Sequence, residues 1–204
     1  MTPKQRKIIS ISAGIGAFLI AALLIGFWSD HYARRMTPEI FPRLSSVSHS
    51  LPATTGEEIR IKDLTGQPVA IFFGFTHCPE VCPVTLYTLT DMTASLGEEG
   101  KNLQIVFITV DPERDDLATL RSYIGAINET AIGLSGAPEV HQEVEKAFRV
   151  YAQKVPLNDG DYTMDHTATV YLYDAKGRLH GTIAWGEPYD FALAKLKSLL
   201  GIKV

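Results

Sequence analysis

Cysteine is scarce in this chain. Of 204 residues only two are cysteine, Cys78 and Cys82, and both fall in one short turn. Two cysteines allow at most one disulfide. A bridge closing so small a loop restrains the unfolded chain little, so disulfides are not what holds this fold together. A structural zinc cage asks for four protein ligands, and beyond the thiols the turn supplies only His77. An excess of positive charge is also missing. The formal net charge is −4, and it becomes −7 once Lys4, Arg6 and Lys7 at the start of the chain are set aside. So acidic a surface suits nucleic acid poorly, and no nucleic-acid partner is expected. There is no internal repeat and no low-complexity tract. What is left is a single domain with extensions, and a pair of thiols too sparse to be scaffolding.

One apolar segment does not belong to a soluble core. Ile8 to Trp28 is 21 residues without a charge. As a helix it spans roughly 30 Å, the thickness of a bilayer's hydrocarbon core. The three cations immediately before it favour a cytoplasmic N-terminus, although Arg34 and Arg35 beyond it count against that orientation. A cleaved signal peptide is the alternative, but the run is long for a signal core and no clean small-x-small site follows it. Residues 1–7 are therefore expected in the cytoplasm, 8–28 as a transmembrane anchor, 29–51 as a Pro- and Ser-containing tether, and 52–204 as the domain. Seven residues ahead of the anchor leave no room for a mitochondrial presequence. This points to the bacterial cytoplasmic (inner) membrane, crossed once, with the C-terminal domain in the periplasm.

Within the domain, Val69–Phe75, Gln104–Val110 and Ala168–Tyr173 are near-continuous apolar runs, the pattern of strands covered on both faces. Asp174-Ala175-Lys176-Gly177 is a turn, and Arg178–Ala184 returns as a hairpin partner. Helical stripes lie between the runs: Leu86, Leu89 and Leu96; Leu117, Leu120, Ile124 and Ile127 behind an Asp116 cap; Val140, Val144, Ala147, Phe148 and Tyr151. A final stripe, Leu193, Leu196 and Leu200, is capped by Asp190 and stopped by Gly201. Strand–helix alternation closing in a hairpin and a helix predicts an α/β sandwich with a mixed sheet.

The chemistry gathers where the first run ends, in Gly74-Phe75-Thr76-His77-Cys78-Pro79-Glu80-Val81-Cys82-Pro83. Residues four apart share a helix face, so both thiols can point one way at the start of a helix that Pro83 suits. A helix N-terminus stabilises a thiolate. The same spacing allows a disulfide, and the spacing alone does not separate the two uses. His166, in Asp165-His166-Thr167 just before the third run, can reach the thiols across a cleft. Two sulfurs and one imidazole suit Cu(I), and the nitrogen admits Cu(II) as well. Asp111-Pro112-Glu113-Arg114-Asp115 follows the second run. There Asp111 is either a solvated turn residue or an acidic group near the cysteines.

Together these segments resemble the Sco/SenC family of copper proteins that help assemble cytochrome c oxidase. The matching residues are Gly74–Pro79 with Val81-Cys82-Pro83, then Val110–Asp115, then Asp165-His166-Thr167; Glu80 stands where the family commonly has Asp. The resemblance implies a thioredoxin-like fold and copper ligands at Cys78, Cys82 and His166, with Cys78 and Cys82 also forming a redox disulfide. It places Asp111, Asp165 and His77 beside the ligands or facing a partner. It implies a metallochaperone whose acceptor is the binuclear copper centre of cytochrome c oxidase subunit II. An upstream copper donor or thiol reductant would supply it. The alternative is an enzyme, a thiol–disulfide reductase keeping the acceptor's cysteines reduced. Against that, three residues separate these cysteines where such enzymes usually have two.

Overall fold

The computed structural model describes residues 41–158 and 160–203. The expected anchor, the cytoplasmic residues before it and the first part of the tether lie outside the described residues. Among the described residues no helix is long and apolar enough to cross a membrane.

A short hairpin, β1 (Ser50–Pro52) and β2 (Glu58–Arg60), leads into β3 (Val69–Gly74), α1 (Val81–Ser95), β4 (Gln104–Thr109), α2 (Leu117–Gly125), β5 (Ile132–Leu134) and α3 (Pro138–Phe148). A second hairpin follows, β6 (Ala152–Pro156) and β7 (Tyr162–His166), then β8 (Thr169–Tyr173), β9 (Leu179–Ala184) and α4 (Tyr189–Leu199). The central sheet has the order β5-β4-β3-β8-β9. Strands β3, β4 and β5 are parallel, while β8 runs antiparallel to β3 and β9 antiparallel to β8. This is the mixed sheet that the alternation predicts.

All six residues of β3 are buried, as the unbroken apolar run requires of a strand with covers on both faces. Phe73 packs with Phe148 and Tyr171, and Phe148 with Tyr173, on one face; Phe72 packs with Phe107, and Phe107 with Tyr123, on the other. Each fully buried ring contributes roughly 1.5–3 kcal/mol relative to exposure. The buried face of α1 is Cys82, Leu86, Leu89 and Met92, so the second cysteine belongs to the helix's core stripe.

Three expectations need correction. First, the tether is not all tether. Leu44, Val47 and Leu51 are buried, and Leu44 N–H donates to the Gly177 carbonyl at 2.9 Å, so the folded unit takes in residues upstream of Pro52. Second, Tyr151 is not on the face of α3. That helix stops at Arg149, which adopts the left-handed conformation (φ 55°) with no glycine to announce it, and Tyr151 is exposed beyond. Third, Asp190 lies inside the first turn of α4 and makes no capping bond; Pro188 holds the cap position. By contrast Asp116 caps α2 as expected, accepting from Thr119 N–H at 2.7 Å.

The β6–β7 hairpin is the main element the apolar pattern does not show. Its strands are polar and largely exposed along β6, and they pair only with each other, from Ala152 opposite His166 to Pro156 opposite Tyr162. It carries His166 on its last residue.

Candidate metal centre

Parallel strands β3 and β4 end side by side, with Gly74 opposite Thr109. Strand β8 is antiparallel to β3, with Val170 opposite Phe72, so the start of β8 lies at that same edge. The loop after β3 carries Cys78, helix α1 carries Cys82, and the hairpin delivers His166 with only Thr167 and Ala168 between it and β8. The topology thus brings the three expected residues to one rim.

Asp115 sets the loop. Its carboxylate is fully buried and accepts three hydrogen bonds: from Thr76 N–H (2.9 Å), Thr76 O–H (2.5 Å) and Thr109 O–H (2.7 Å). Its backbone carbonyl accepts from the Ser135 hydroxyl at 2.5 Å. The end of β3, the end of β4 and the cysteine loop are thereby tied to one acceptor. Cys78 follows, folded back by its N–H donating to the Phe75 carbonyl at 3.3 Å.

Both cysteines are free thiols and both are buried. The Cys78 sulfur accepts from the Cys82 backbone N–H at 3.4 Å, so it sits on the first turn of α1 where unpaired N–H groups favour negative charge. The Cys78 thiol is lowered to about 4, chiefly because the Cys82 S–H donates to its sulfur. Burial opposes this, and contacts from His166 and the Cys82 and Glu80 backbone assist it. Cys82 is pushed up by the same shared hydrogen bond and by burial. The pair therefore holds one proton between them, a coupled titration with its thiolate on Cys78. Gly74 makes room for this: a Cβ there would stand 2.9 Å from Phe107 Cζ, 2.9 Å from Phe72 Cε1 and 3.0 Å from Cys82 Sγ.

His166 meets Cys82, its Nε2 3.6 Å from Sγ. The ring lies edge-to-face against Phe75 and Phe72, at 5.6 and 6.4 Å between centroids. Its Nδ1 is 3.1 Å from the Thr167 carbonyl. A carbonyl only accepts, so Nδ1 carries a proton and Nε2 is the atom turned to the sulfurs. Neutral, the ring offers a metal its Nε2 lone pair; protonated, it offers an N–H to the Cys78 thiolate. Fixing one ring nitrogen on a backbone carbonyl is the usual preparation of a metal-binding histidine. Sulfur and nitrogen ligands at about 2.3 and 2.0 Å from one ion, with ordinary angles between them, sit about 3.6 Å apart. The observed separation fits that. Even so, among the described residues no three His, Cys, Asp or Glu side chains stand arranged around one ion. The donors are gathered but not closed on a common point.

The remaining candidates are placed differently. His77 is half exposed, and its Nδ1 is 3.1 Å from Thr76 Oγ1 and 3.8 Å from Asp115 Oδ1; it turns toward the loop's anchor. Asp165 is exposed, on the face of β7 opposite His166 because successive strand residues alternate. Asp111 is neither a solvated turn residue nor seen against the sulfurs. It is 2% exposed, pairs with Arg114 Nε at 2.5 Å and accepts from the Tyr162 hydroxyl at 2.9 Å. Asp115, Arg114 and Tyr162 carry structural roles at this rim that spacing does not reveal. Asp116 reads in sequence as the helix cap it is, but nothing in the sequence marks its neighbour Asp115 as an inward acceptor.

A mixed five-stranded sheet with a dithiol at the mouth of its first parallel strand and an imidazole entering beside it defines a thioredoxin-like protein with a soft-metal or redox rim. Residues 39–201 match the SCO1/SenC family model, and the chain belongs to that family. It is similar to the SCO2 homolog of Danio rerio, 39% identical over 126 residues, which are 60% of this chain and 45% of that protein. The chain spans about half the length of the curated relatives it matches. Among solved structures it is similar to Bradyrhizobium japonicum ScoI with copper bound (41% identity, TM-score 0.68, covering 74% of this chain and 96% of that one). It is also similar to yeast Sco1 with copper bound (31% identity, TM-score 0.68, covering 76% and 88%).

Proposed function

We propose that this chain is a copper metallochaperone for cytochrome c oxidase assembly, binding copper through Cys78, Cys82 and His166 and passing it to the binuclear copper centre of subunit II. The observation that carries the reading is the approach of His166 Nε2 to Cys82 Sγ at 3.6 Å, beside a second sulfur with thiolate character. Two structures of relatives in the same family hold copper, which supports copper as the metal. The donor set suits it, since sulfur favours Cu(I) and imidazole extends the range to Cu(II). A disulfide between the thiols would remove both sulfur donors, so the reduced pair is the binding form and a thiol reductant is a required partner. At three protein ligands, a donor from the acceptor finds an open position. Copper is cargo in this reading, moved by ligand exchange.

The 21-residue apolar run supports a membrane tether, which we place in a bacterial inner membrane with this domain in the periplasm. Protease added outside intact spheroplasts should then digest the domain, and protection of the domain would reverse the orientation.

The test is copper titration of the reduced chain with metal stoichiometry measured. One copper per chain is expected. Replacing a residue that merely supports a ligand costs roughly 10–100-fold in affinity, so His166→Ala should cost at least that. The Cys78–Cys82 couple should remain oxidisable in that variant. Unchanged affinity would reject the three-ligand site. A thiol–disulfide reductase is the second reading, favoured by the thiolate on Cys78. Catalytic turnover with an oxidised subunit II peptide, undiminished in His166→Ala, would favour it.

A further inference from the structure

We propose that Arg114 and Tyr162 are positioning residues for His166. They latch the β6–β7 hairpin onto the loop after β4 and so set where the imidazole reaches. The proposal rests on reading His166 as a metal ligand.

Beyond the latch, the hairpin meets the core through Ala152, Met164 and the His166 ring. It joins no strand of the central sheet, β6 is mostly exposed, and an isolated two-stranded ladder is marginal in water. Its inner face presents Tyr162, Met164 and His166, alternate residues of one strand. At the Tyr162 end a closed set of contacts forms. Arg114 Nε bonds Asp111 at 2.5 Å, and Arg114 Nη1 donates to the Tyr162 carbonyl at 2.8 Å and meets Asp161 at 3.3 Å. The guanidinium lies 3.7 Å from the centre of the Tyr162 ring, and the Tyr162 hydroxyl donates to Asp111. Lys154 of β6 stands 4.6 Å from the same ring and pairs with Glu113 of the loop. Asp111 is fully buried and Arg114 only 16% exposed, so water screens the pair in part, and charge-assisted bonds are the stronger kind. Tyr162 and His166 are four strand residues apart, about 13 Å, so a shift at the latch is carried along a stiff ladder to the ring.

The experiment uses the full chain, reduced and metal-free at the start. It compares wild type, His166→Ala, Tyr162→Phe and the pair Asp111→Asn/Arg114→Met. The pair removes both charges together, leaving no orphaned ion, and Tyr162→Phe keeps the ring and removes one bond. Cu(I) affinity is read by competition with a chromophoric chelator, and the Cys78–Cys82 reduction potential is read alongside. The paired replacement should weaken Cu(I) roughly tenfold and Tyr162→Phe less, with the thiol potential unmoved. In a His166→Ala background the same replacements should cost nothing further, because the latch acts through that ring. Wild-type affinity in both latch variants, with His166→Ala still weakened, overturns the latch and leaves the ligand set standing. Equal losses with and without His166, or a shifted thiol potential, also overturn it, since a general structural role would produce them. Unchanged affinity in His166→Ala brings down the ligand reading, and the latch with it.

Discussion

Asp115→Ala should be the most damaging single replacement at the rim. The wild-type carboxylate takes bonds from one backbone N–H and two hydroxyls with no exposure to water. Each hydrogen bond to a charged group contributes roughly 1.5–3 kcal/mol, and a buried donor left alone costs about 1–3 kcal/mol. The two threonine hydroxyls can rotate toward other acceptors; the Thr76 N–H cannot. Burying the carboxylate also has a cost, which the variant recovers. The net loss is therefore expected at about 3–5 kcal/mol, against a total of about 5–15 kcal/mol for an ordinary domain. With a urea slope near 2 kcal/mol per molar, the midpoint of the reduced, metal-free chain should fall by about 2 M in a circular-dichroism titration. Asp115→Asn keeps one acceptor and should lose about a third as much. The loop from Thr76 to Cys78 loses its anchor in Asp115→Ala and part of it in Asp115→Asn, so Cys78 should alkylate faster in both, most in Asp115→Ala. A fall below about 1 kcal/mol for Asp115→Ala would refute the reasoning, because the three bonds could then not be what holds the loop.

Two further predictions test the surroundings. Gly74→Ala puts a methyl into a space closed by Phe107, Phe72 and Cys82 Sγ; it should cost about 1–3 kcal/mol, lower the melting temperature by several degrees and weaken copper binding. An unchanged melting temperature would mean that β3 yields there. Glu145 on α3 is raised to about 7 by burial, with the charge of His166 partly opposing. The folded chain thus holds this proton between about pH 4.5 and 7 where the unfolded chain releases it, and stability falls as pH rises through that window. Glu145→Gln should match wild type below pH 4.5 and exceed it above pH 7, by about 1 kcal/mol after allowance for partial solvent access. Parallel stability–pH curves for the two proteins would show that the carboxyl is not desolvated.

Strands β3, β4 and β8 of the central sheet were legible because they are buried on both faces, and β9 as their hairpin partner; the short edge strand β5 was not. Val69–Gly74 and Gln104–Thr109 each read as continuous apolar runs, and their boundaries differ from the expected ones by a single residue. The hairpin carrying His166 was not legible, because Ala152–Pro156 has no apolar face and the two strands give the core only Ala152 and Met164. The same limit hid the role of Asp115, although its neighbour Asp116 was read correctly as a helix cap. Asp115 goes inward to three donors, and nothing local marks its carboxylate for burial.

The amino-acid sequence by itself determined that two thiols stand four residues apart where a buried strand gives way to a helix. Spacing and helix geometry are local, and they are enough to bring one sulfur over the first turn of that helix. Only the tertiary structure decided that His166 arrives at Cys82 and that Asp111 faces Tyr162 and Arg114. Those meetings join residues 84 and 51 positions apart through an antiparallel strand and a docked hairpin, and such long-range placements depend on how whole elements pack.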